Sequence, residues 1–238
     1  MGSVIKHESL DNIVYHELKR RIIDKEFYPG EKINQQQLTE DLNVSRTPLL
    51  TALKKLEQER LVDLIPRRGF YVRKITLEEM VAYYEVREVM EGLAARKAAQ
   101  QISDEQIKKL RVFFTKLQIS DEPEEMKKYA AEDRKFHTFV LKIADTELLS
   151  SVFNTFNILT ISYQHTMRAG LVRVPSETIQ EHRAIIEAIC YRDPERAEEL
   201  MKQHHLKSRI KLVREIANGT NTFQDTNPNH PVGSVIRS

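Results

Sequence analysis

The sequence predicts a mainly α-helical protein: an N-terminal winged helix-turn-helix with a small β-hairpin wing, and a C-terminal all-α bundle of about six helices. Two short helical segments separated by a three-residue turn and followed by a hairpin signal predict the first part. Six periodic segments without a strand signal between them predict the second. We therefore expect domains over residues 1–75 and 76–218, and a disordered tail rich in Asn, Thr and Pro over residues 219–238.

The N-terminal part begins with a helix predicted over residues 10–25, where apolar residues recur at helical spacing. Asn34 and Gln37 have the spacing of a capping box for the second helix, and Ser45 ends the turn and is expected to cap the third. The third helix is apolar on one side. Its other side carries the short polar and cationic side chains that suit the DNA major groove: Ser45, Arg46, Thr47 and Thr51, with Lys54 and Lys55 one turn further on.

The wing is predicted from two strand-like runs, residues 61–65 and 70–72, on either side of Pro66-Arg67-Arg68-Gly69. Gly69 gives the tight turn its backbone freedom, and Arg67 and Arg68 would meet the minor groove or the phosphate backbone. The alternative is a solvated helix followed by an unrelated hairpin. Residues 44–74 hold eight lysines and arginines against three acidic residues, which favours DNA binding.

Composition excludes several other classes of protein. The 238 residues are 40% hydrophobic and 30% charged with a net charge of +2, as in a globular protein that does not coat nucleic acid by bulk charge. The single cysteine, Cys190, has no internal partner and favours a reducing cytoplasm. No apolar run reaches the ~20 residues of a membrane helix, and the N-terminus lacks a signal-peptide pattern, so we expect a cytoplasmic location and no membrane partner.

The helices of the C-terminal part are delimited by their capping signals. Thr76 with Glu79 and Ser103 with Gln106 have capping-box spacing, and Pro194 suits a first helical position. The six predicted segments are residues 76–101, 103–118, 123–144, 146–169, 176–191 and 194–217.

Four side chains of these helices are predicted to meet. Asp133 and His137 are four residues apart and share a helix face. His182 and His204 each lie eleven residues from Asp193, where the last two helices turn, so a ~1.5 Å rise per residue places both at the same level. Three histidines and a carboxylate from three helices can bind a divalent transition metal. The alternative interpretation is that these four side chains are ordinary polar residues on helix faces and bind no metal. His205, rotated from His204, is expected to face solvent or an interface and is the reserve ligand.

The residues around the third helix resemble the DNA-binding signature of GntR-family transcription regulators, in which Val44-Ser45-Arg46-Thr47-Pro48 opens the recognition helix. The resemblance covers roughly residues 10 to 75. It departs at Leu50-Thr51, where the family usually has Arg-Glu, and at Arg60, where it usually has Gly. The missing arginine removes one expected DNA contact, and an exposed Leu50 would meet a thymine methyl or simply weaken binding.

The C-terminal part resembles the FCD ligand-binding domain of the FadR-type branch, and its helix count the VanR-like group. The resemblance implies a metal, zinc first with nickel or manganese as alternatives, bound by Asp133, His137, His182 and His204, which helps to hold a small carboxylate effector. Arg87 matches an arginine that often faces the effector pocket. Its alternative role is an ion pair with Glu88 or Glu91 on its own helix.

Together these features predict a ligand-responsive repressor that binds a palindromic double-stranded DNA operator as a homodimer. Two alternatives remain: a metal-dependent hydrolase using the three histidines and the aspartate, and an architectural DNA binder whose metal is structural. The hydrolase lacks a further carboxylate at a spacing that identifies a general base, and it has no need of a winged helix.

Overall fold

A computed structural model describes residues 9–24, 26–144 and 171–219 of the chain. Its described residues divide into two compact units, one up to Lys74 and the other from Ile75, which are treated separately below. The fourth predicted bundle helix, residues 146–169, and the predicted tail beyond Gly219 lie outside the described residues. The mainly helical fold with a two-stranded antiparallel sheet confirms the predicted fold class.

The first unit is a winged helix-turn-helix built on a small apolar core. Helix α1 spans Leu10–Ile23, α2 spans Gln35–Asp41 and α3 spans Arg46–Gln58. Asn34 caps α2 by accepting a hydrogen bond from the Gln37 amide at 3.2 Å. Ser45 takes the extended backbone of an N-cap, but its side chain makes no capping bond, so that expectation was wrong. The apolar side of α3 is fully buried by Leu49, Ala52, Leu53 and Leu56.

The wing is an antiparallel pair of strands, β1 (Val62–Ile65) and β2 (Gly69–Val72), in which Val62 pairs with Val72 and Ile65 with Gly69. The segment before α2 runs along the other side of β2. Its Ile33 amide donates to the Phe70 carbonyl at 2.8 Å, and the Val72 amide donates to the Glu31 carbonyl at 2.9 Å. These bonds fix the wing to the start of α2.

The second unit is helical throughout its described part. Its helices are α4 (Leu77–Gln101), α5 (Asp104–Leu110), α6 (Pro123–Ala144), α7 (Pro175–Cys190) and α8 (Pro194–Ala217). Thr76 with Glu79 and Ser103 with Gln106 form complete capping boxes, as their spacing predicts. Small residues on the inner side of α4 allow the other helices to pack closely against it: Ala94, Ala95, Ala98 and Ala99.

The second bundle helix ends eight residues earlier than predicted. The chain leaves α5 after Leu110 and runs as turns to residue 116, and Phe114 has a positive φ of 61° that cannot continue a helix. Phe114 is buried, with its ring 5.3 Å from that of Tyr129 and 4.7 Å from that of His182. Packing of this ring has outweighed the local helical periodicity.

Among the described residues, no helix is both long enough and apolar enough to cross a membrane.

Candidate DNA-binding groove and metal centre

An open groove of about 970 Å³ in the first unit brings together residues from α2, α3 and the wing. Ser45 and Arg46 enter it from the start of α3, and Arg68 enters from the tip of the wing. All three side chains are exposed. The groove therefore presents two guanidinium groups and a hydroxyl to a ligand outside the core.

The other predicted DNA-binding residues lie on the same two elements. Thr47, Thr51 and Lys54 are exposed along α3, and the Thr51 hydroxyl donates to the Thr47 carbonyl at 3.1 Å. Arg67 is exposed at the wing turn, where Gly69 has a φ of +101° that residues with a side chain rarely adopt. The turn requires glycine, as predicted.

Sequence reasoning missed the contribution of α2 to this groove and misplaced two residues of α3. Gln35 and Gln36 of α2 and Lys32 of the preceding segment also line the groove, and the Gln35 Oε1 atom is buried without a hydrogen-bond partner. Lys55, counted with the basic face, donates instead to Asp11 at 2.5 Å and to Asn12 at 2.6 Å and so holds α1. Leu50 is only partly exposed because it packs against the core.

In the second unit, the four predicted metal ligands meet. Asp133 and His137 come from α6, His182 from α7 and His204 from α8, and their ligand atoms all lie within 4.8 Å of one another. The Asp133 Oδ1 atom is 3.2 Å from His182 Nε2 and 3.8 Å from His137 Nε2. The three imidazoles are buried and the carboxylate is partly exposed.

Each of these histidines has an outer partner at Nδ1. His137 Nδ1 bonds to a Glu91 carboxylate oxygen, and His204 Nδ1 lies 2.8 Å from Glu181 Oε2. Because an ionised carboxylate only accepts hydrogen bonds, Nδ1 carries the proton in both rings and Nε2 keeps its lone pair. A metal-binding histidine needs this arrangement.

His182 Nδ1 faces a chain of hydroxyl groups. It lies 2.8 Å from the Tyr129 hydroxyl, which lies 2.8 Å from the Thr178 hydroxyl, and the Thr178 hydroxyl donates to the Val174 carbonyl at 3.3 Å. A hydroxyl can accept from an imidazole N–H, so this partner is compatible with a metal at Nε2. The buried Nε2 atoms of His137 and His182 have no hydrogen-bond partner. Buried lone pairs beside a carboxylate fit a metal ion.

Burial favours the neutral, metal-binding form of two of the imidazoles. Burial lowers the pKa of His182, and burial together with the neighbouring His182 lowers the pKa of His204 well below its ordinary value, so both are neutral at pH 7.

Arg87 forms one of the two ion pairs considered for it, since its Nε donates to Glu91. Its guanidinium also lies over the rings of Tyr83 and Tyr84, at 5.5 and 5.4 Å from the centroids. Glu91 is 1% exposed and also accepts from His137. Arg87 is therefore one carboxylate away from a predicted metal ligand.

The expectation for His205 was wrong. Its side chain is fully buried rather than facing solvent, and its Nε2 lies 3.1 Å from Glu91 Oε1. The ring packs 5.3 Å from that of His137 and 6.0 Å from that of Tyr84. The local sequence does not reveal that α4 covers this side of α8.

The outer partners of the histidines differ in how far the sequence could have revealed them. Tyr129 lies four residues before Asp133, so it shares the helix face of Asp133 and His137 and was detectable by spacing. Glu181 meets a histidine 23 residues away, and Arg173, whose Nη1 donates to Glu181 at 2.9 Å, lies before α7. No local pattern connects these residues. Glu91 and Glu181 are both hydrogen-bonded to histidine Nδ1 atoms, so neither stands free as the general base of a hydrolase would.

Comparison with protein families gives two matches within the chain. The sequence model of the FCD domain matches residues 82–207, and that of the bacterial regulatory proteins of the gntR family matches residues 10–72.

Two relatives share most of their length with this chain. The HTH-type transcriptional repressor RspR of Escherichia coli K12 is 28% identical over 203 residues, which cover 85% of this chain and 88% of the relative. The HTH-type transcriptional repressor GlaR of the same strain is 28% identical over 205 residues, covering 83% and 92%. Both names describe regulators rather than enzymes.

The solved structure of E. coli McbR/YncC has the same fold. It superposes with a TM-score of 0.68 at 19% sequence identity, covering 88% of this chain and all of the other.

Proposed function

The chain belongs to the FCD-domain transcription regulators of the GntR family, and from this premise we propose that it is a dimeric repressor whose binding to a palindromic operator responds to a small carboxylate effector held with the help of a metal ion. It is a DNA-binding regulator and not an enzyme, as its relatives are named. The proposal concerns the operator, the dimer, the metal and the effector.

The groove in the first unit supports direct reading of the operator. Arg46, exposed at the start of α3, would form paired hydrogen bonds with guanine, the commonest specific contact in the major groove. Ser45 and Thr47 would bond to a base edge or a phosphate, and Thr51 and Lys54 would extend this contact along α3. Arg67, Arg68 and Gly69 would place the wing tip against the minor groove or the backbone.

The arrangement of ring nitrogens carries the metal part of the proposal. Asp133, His137, His182 and His204 would hold the ion through one carboxylate oxygen and three Nε2 atoms. Three imidazoles and a carboxylate suit Zn²⁺, with Ni²⁺ and Mn²⁺ as alternatives. The bound ion would supply positive charge that attracts the effector carboxylate.

Arg87 would supply the second positive charge for the effector. Its ion pair with Glu91 places the guanidinium on the His137 side of the cluster. A guanidinium suits a carboxylate because two parallel N–H groups match its two oxygens. The effector is thus expected to be a small anion that bridges Arg87 and the metal.

Apolar side chains at the surface of the second unit support the dimer. Val86, Val89 and Leu93 are exposed along one face of α4, and Ile210 and Val213 are exposed on α8, which contacts α4 through the Arg209–Glu88 ion pair. Such a face suits a self-complementary twofold interface. A dimer in the cytoplasm would present two groove surfaces to the two halves of a palindrome.

Recovery of genomic fragments by the purified full-length protein at physiological salt tests the function. We expect enrichment of one short palindrome by the wild type and its loss in Arg46→Ala. Enrichment without a shared sequence would contradict operator reading and favour the architectural DNA binder.

The effector and the metal are tested on the recovered operator. We expect about one metal ion per chain by elemental analysis, and a shift in operator affinity when a panel of small carboxylates is added without any being consumed. If removal of the metal unfolds the second unit and no carboxylate changes operator affinity, the metal is structural and the effector proposal fails.

A further inference from the structure

Among the described Asp, Glu, Lys and Arg side chains of the second unit, Glu91 is the most deeply buried, and it has contacts besides the ion pair with Arg87. It is 1% exposed on α4 and accepts from Arg87 Nε and His137 Nδ1. His205 Nε2 lies 3.1 Å from the oxygen that Arg87 uses. One carboxylate is therefore surrounded by nitrogen groups of three residues from three helices.

We propose that Glu91 is a positioning residue for the metal centre: by accepting a hydrogen bond from His137 Nδ1–H, it fixes the ring so that Nε2 faces Asp133 and the metal. The part of this inference that concerns metal binding rests on the proposed function. The hydrogen bond between Glu91 and His137 does not depend on it. Removal of such outer partners typically costs about 10–100-fold in metal affinity.

The surroundings of Glu91 explain why it stays ionised and in place. A buried carboxylate is strongly disfavoured unless cations and hydrogen bonds compensate it. Arg87 supplies a permanent positive charge, and Tyr83 and Tyr84 hold the guanidinium against α4. Arg87 thus keeps the Glu91 carboxylate ionised, so that it can only accept hydrogen bonds. Glu91 in turn keeps the His137 proton on Nδ1.

A second metal site at Glu91, His137 and His205 is the competing interpretation, because these residues also have ligand types and spacing for an ion. The direct bonds of Glu91 argue against it. Both carboxylate oxygens already accept N–H groups, one from Arg87 and one from His137. An ion there would have to displace one of these bonds beside a guanidinium of like charge.

The test combines metal affinity with the protonation pattern of His137. In wild-type protein stripped of metal and labelled with ¹⁵N-histidine, we expect the His137 ring to carry its proton on Nδ1, with its signals assigned by their loss in His137→Gln. Glu91→Gln should lower Zn²⁺ affinity about 10–100-fold in chelator competition and mix the His137 tautomers. Glu91→Asp should recover part of the affinity because it restores the charge.

Glu88→Gln is the matched control, since Glu88 lies on the same helix but pairs with Arg209. It should leave Zn²⁺ affinity and the His137 tautomer unchanged. Wild-type Zn²⁺ affinity in a folded Glu91→Gln protein would overturn the proposal, as would an Nε2-protonated His137 in the wild type, a measurement that does not require any variant to fold.

His205→Leu separates a positioning residue from a ligand. We expect the wild type and His205→Leu each to bind one Zn²⁺ per chain. Two ions in the wild type that fall to one in the variant would show that Glu91 is a ligand of a second site, and would overturn the proposal. If the wild type binds no metal while His137 keeps its Nδ1 proton, the metal part of the proposed function fails and the Glu91–His137 contact stands.

Discussion

The two units of this protein place their functional side chains in opposite environments. In the first unit, the side chains of four cationic residues are exposed to solvent: Arg46, Lys54, Arg67 and Arg68. Among the described residues, every buried polar or charged side chain lies in the second unit, including four histidines and Glu91. The first unit can therefore lose a functional side chain at little cost to its core, whereas the second cannot.

The proposed function accounts for this difference. Nucleic acid is recognised by extended cationic and polar groups that need no burial before binding. A metal and a small anion need ligands that are fixed and shielded from water, which requires outer partners such as Tyr129 and Glu181. If this contrast is correct, substitutions of exposed side chains in the first unit should change DNA binding without changing stability, whereas substitutions of buried polar side chains in the second should change metal binding and stability together.

The largest expected effect is that of His182→Gln on metal binding. The substitution keeps most of the side-chain volume next to Phe114 but removes an imidazole ligand, so Zn²⁺ affinity should fall by more than about 100-fold. Elemental analysis and chelator competition measure it. His16→Gln, an exposed histidine of the first unit, is the control. Full metal occupancy in His182→Gln would place the site elsewhere.

Acid should destabilise the metal-free second unit. Burial lowers the pKa of His205 from 6.5 to about 4 in the folded protein. Between these values the unfolded chain binds the additional proton, so the free energy of unfolding decreases as the pH falls through this window and is independent of this group above it. The loss is about 3 kcal/mol for His205 at full effect.

Urea unfolding of the metal-free protein between pH 7 and pH 4, followed by circular dichroism, measures this loss. His205→Leu should reduce the pH dependence because its side chain does not titrate. An equal pH dependence in wild type and variant would show that other groups are responsible. Added Zn²⁺ should steepen the dependence, since protons compete for the same nitrogen atoms.

Sequence patterns predicted the fold well where contacts are local. Capping boxes at Thr76 and Ser103, the glycine of the wing turn and the two strands that flank this turn all depend on residues a few positions apart. The end of α5 was missed because Phe114 leaves the helix to pack on Tyr129 and His182, which are distant in the sequence. Tertiary packing decided that boundary.

The candidate metal site was also predicted where the pattern is local. The spacing on α6 and the equal distances of His182 and His204 from the α7–α8 turn predicted that four candidate ligands meet, as they do. Burial of His205 and the roles of Glu91 and Glu181 were not predictable, because each depends on which helix covers the next. Periodicity gives the face of a helix but not the identity of its neighbour.

Arg46→Ala tests the exposed side of the comparison. Loss of a base-reading guanidinium should cost about 1–3 kcal/mol of operator binding and leave non-specific DNA binding nearly unchanged. Binding titrations on operator and scrambled DNA at one salt concentration measure both values. Lys127→Ala, a surface cation of the second unit, is the control. An equal loss on both DNAs would assign Arg46 to the phosphate backbone.

The smallest expected effect is that of Gly69→Ala on the wing. An added Cβ would lie 3.5 Å from Gln35 Nε2, an ordinary contact, so space is not limiting. The φ of +101° is the problem, since residues with a side chain avoid this region at a cost of about 1–2 kcal/mol. Urea unfolding of the full chain measures it against Arg68→Ala, which alters the neighbouring residue without the backbone requirement. Equal stability losses in the two variants would assign the effect to the exposed wing surface and not to the φ of Gly69. The first unit would then tolerate surface substitutions less well than the exposure of its side chains indicates.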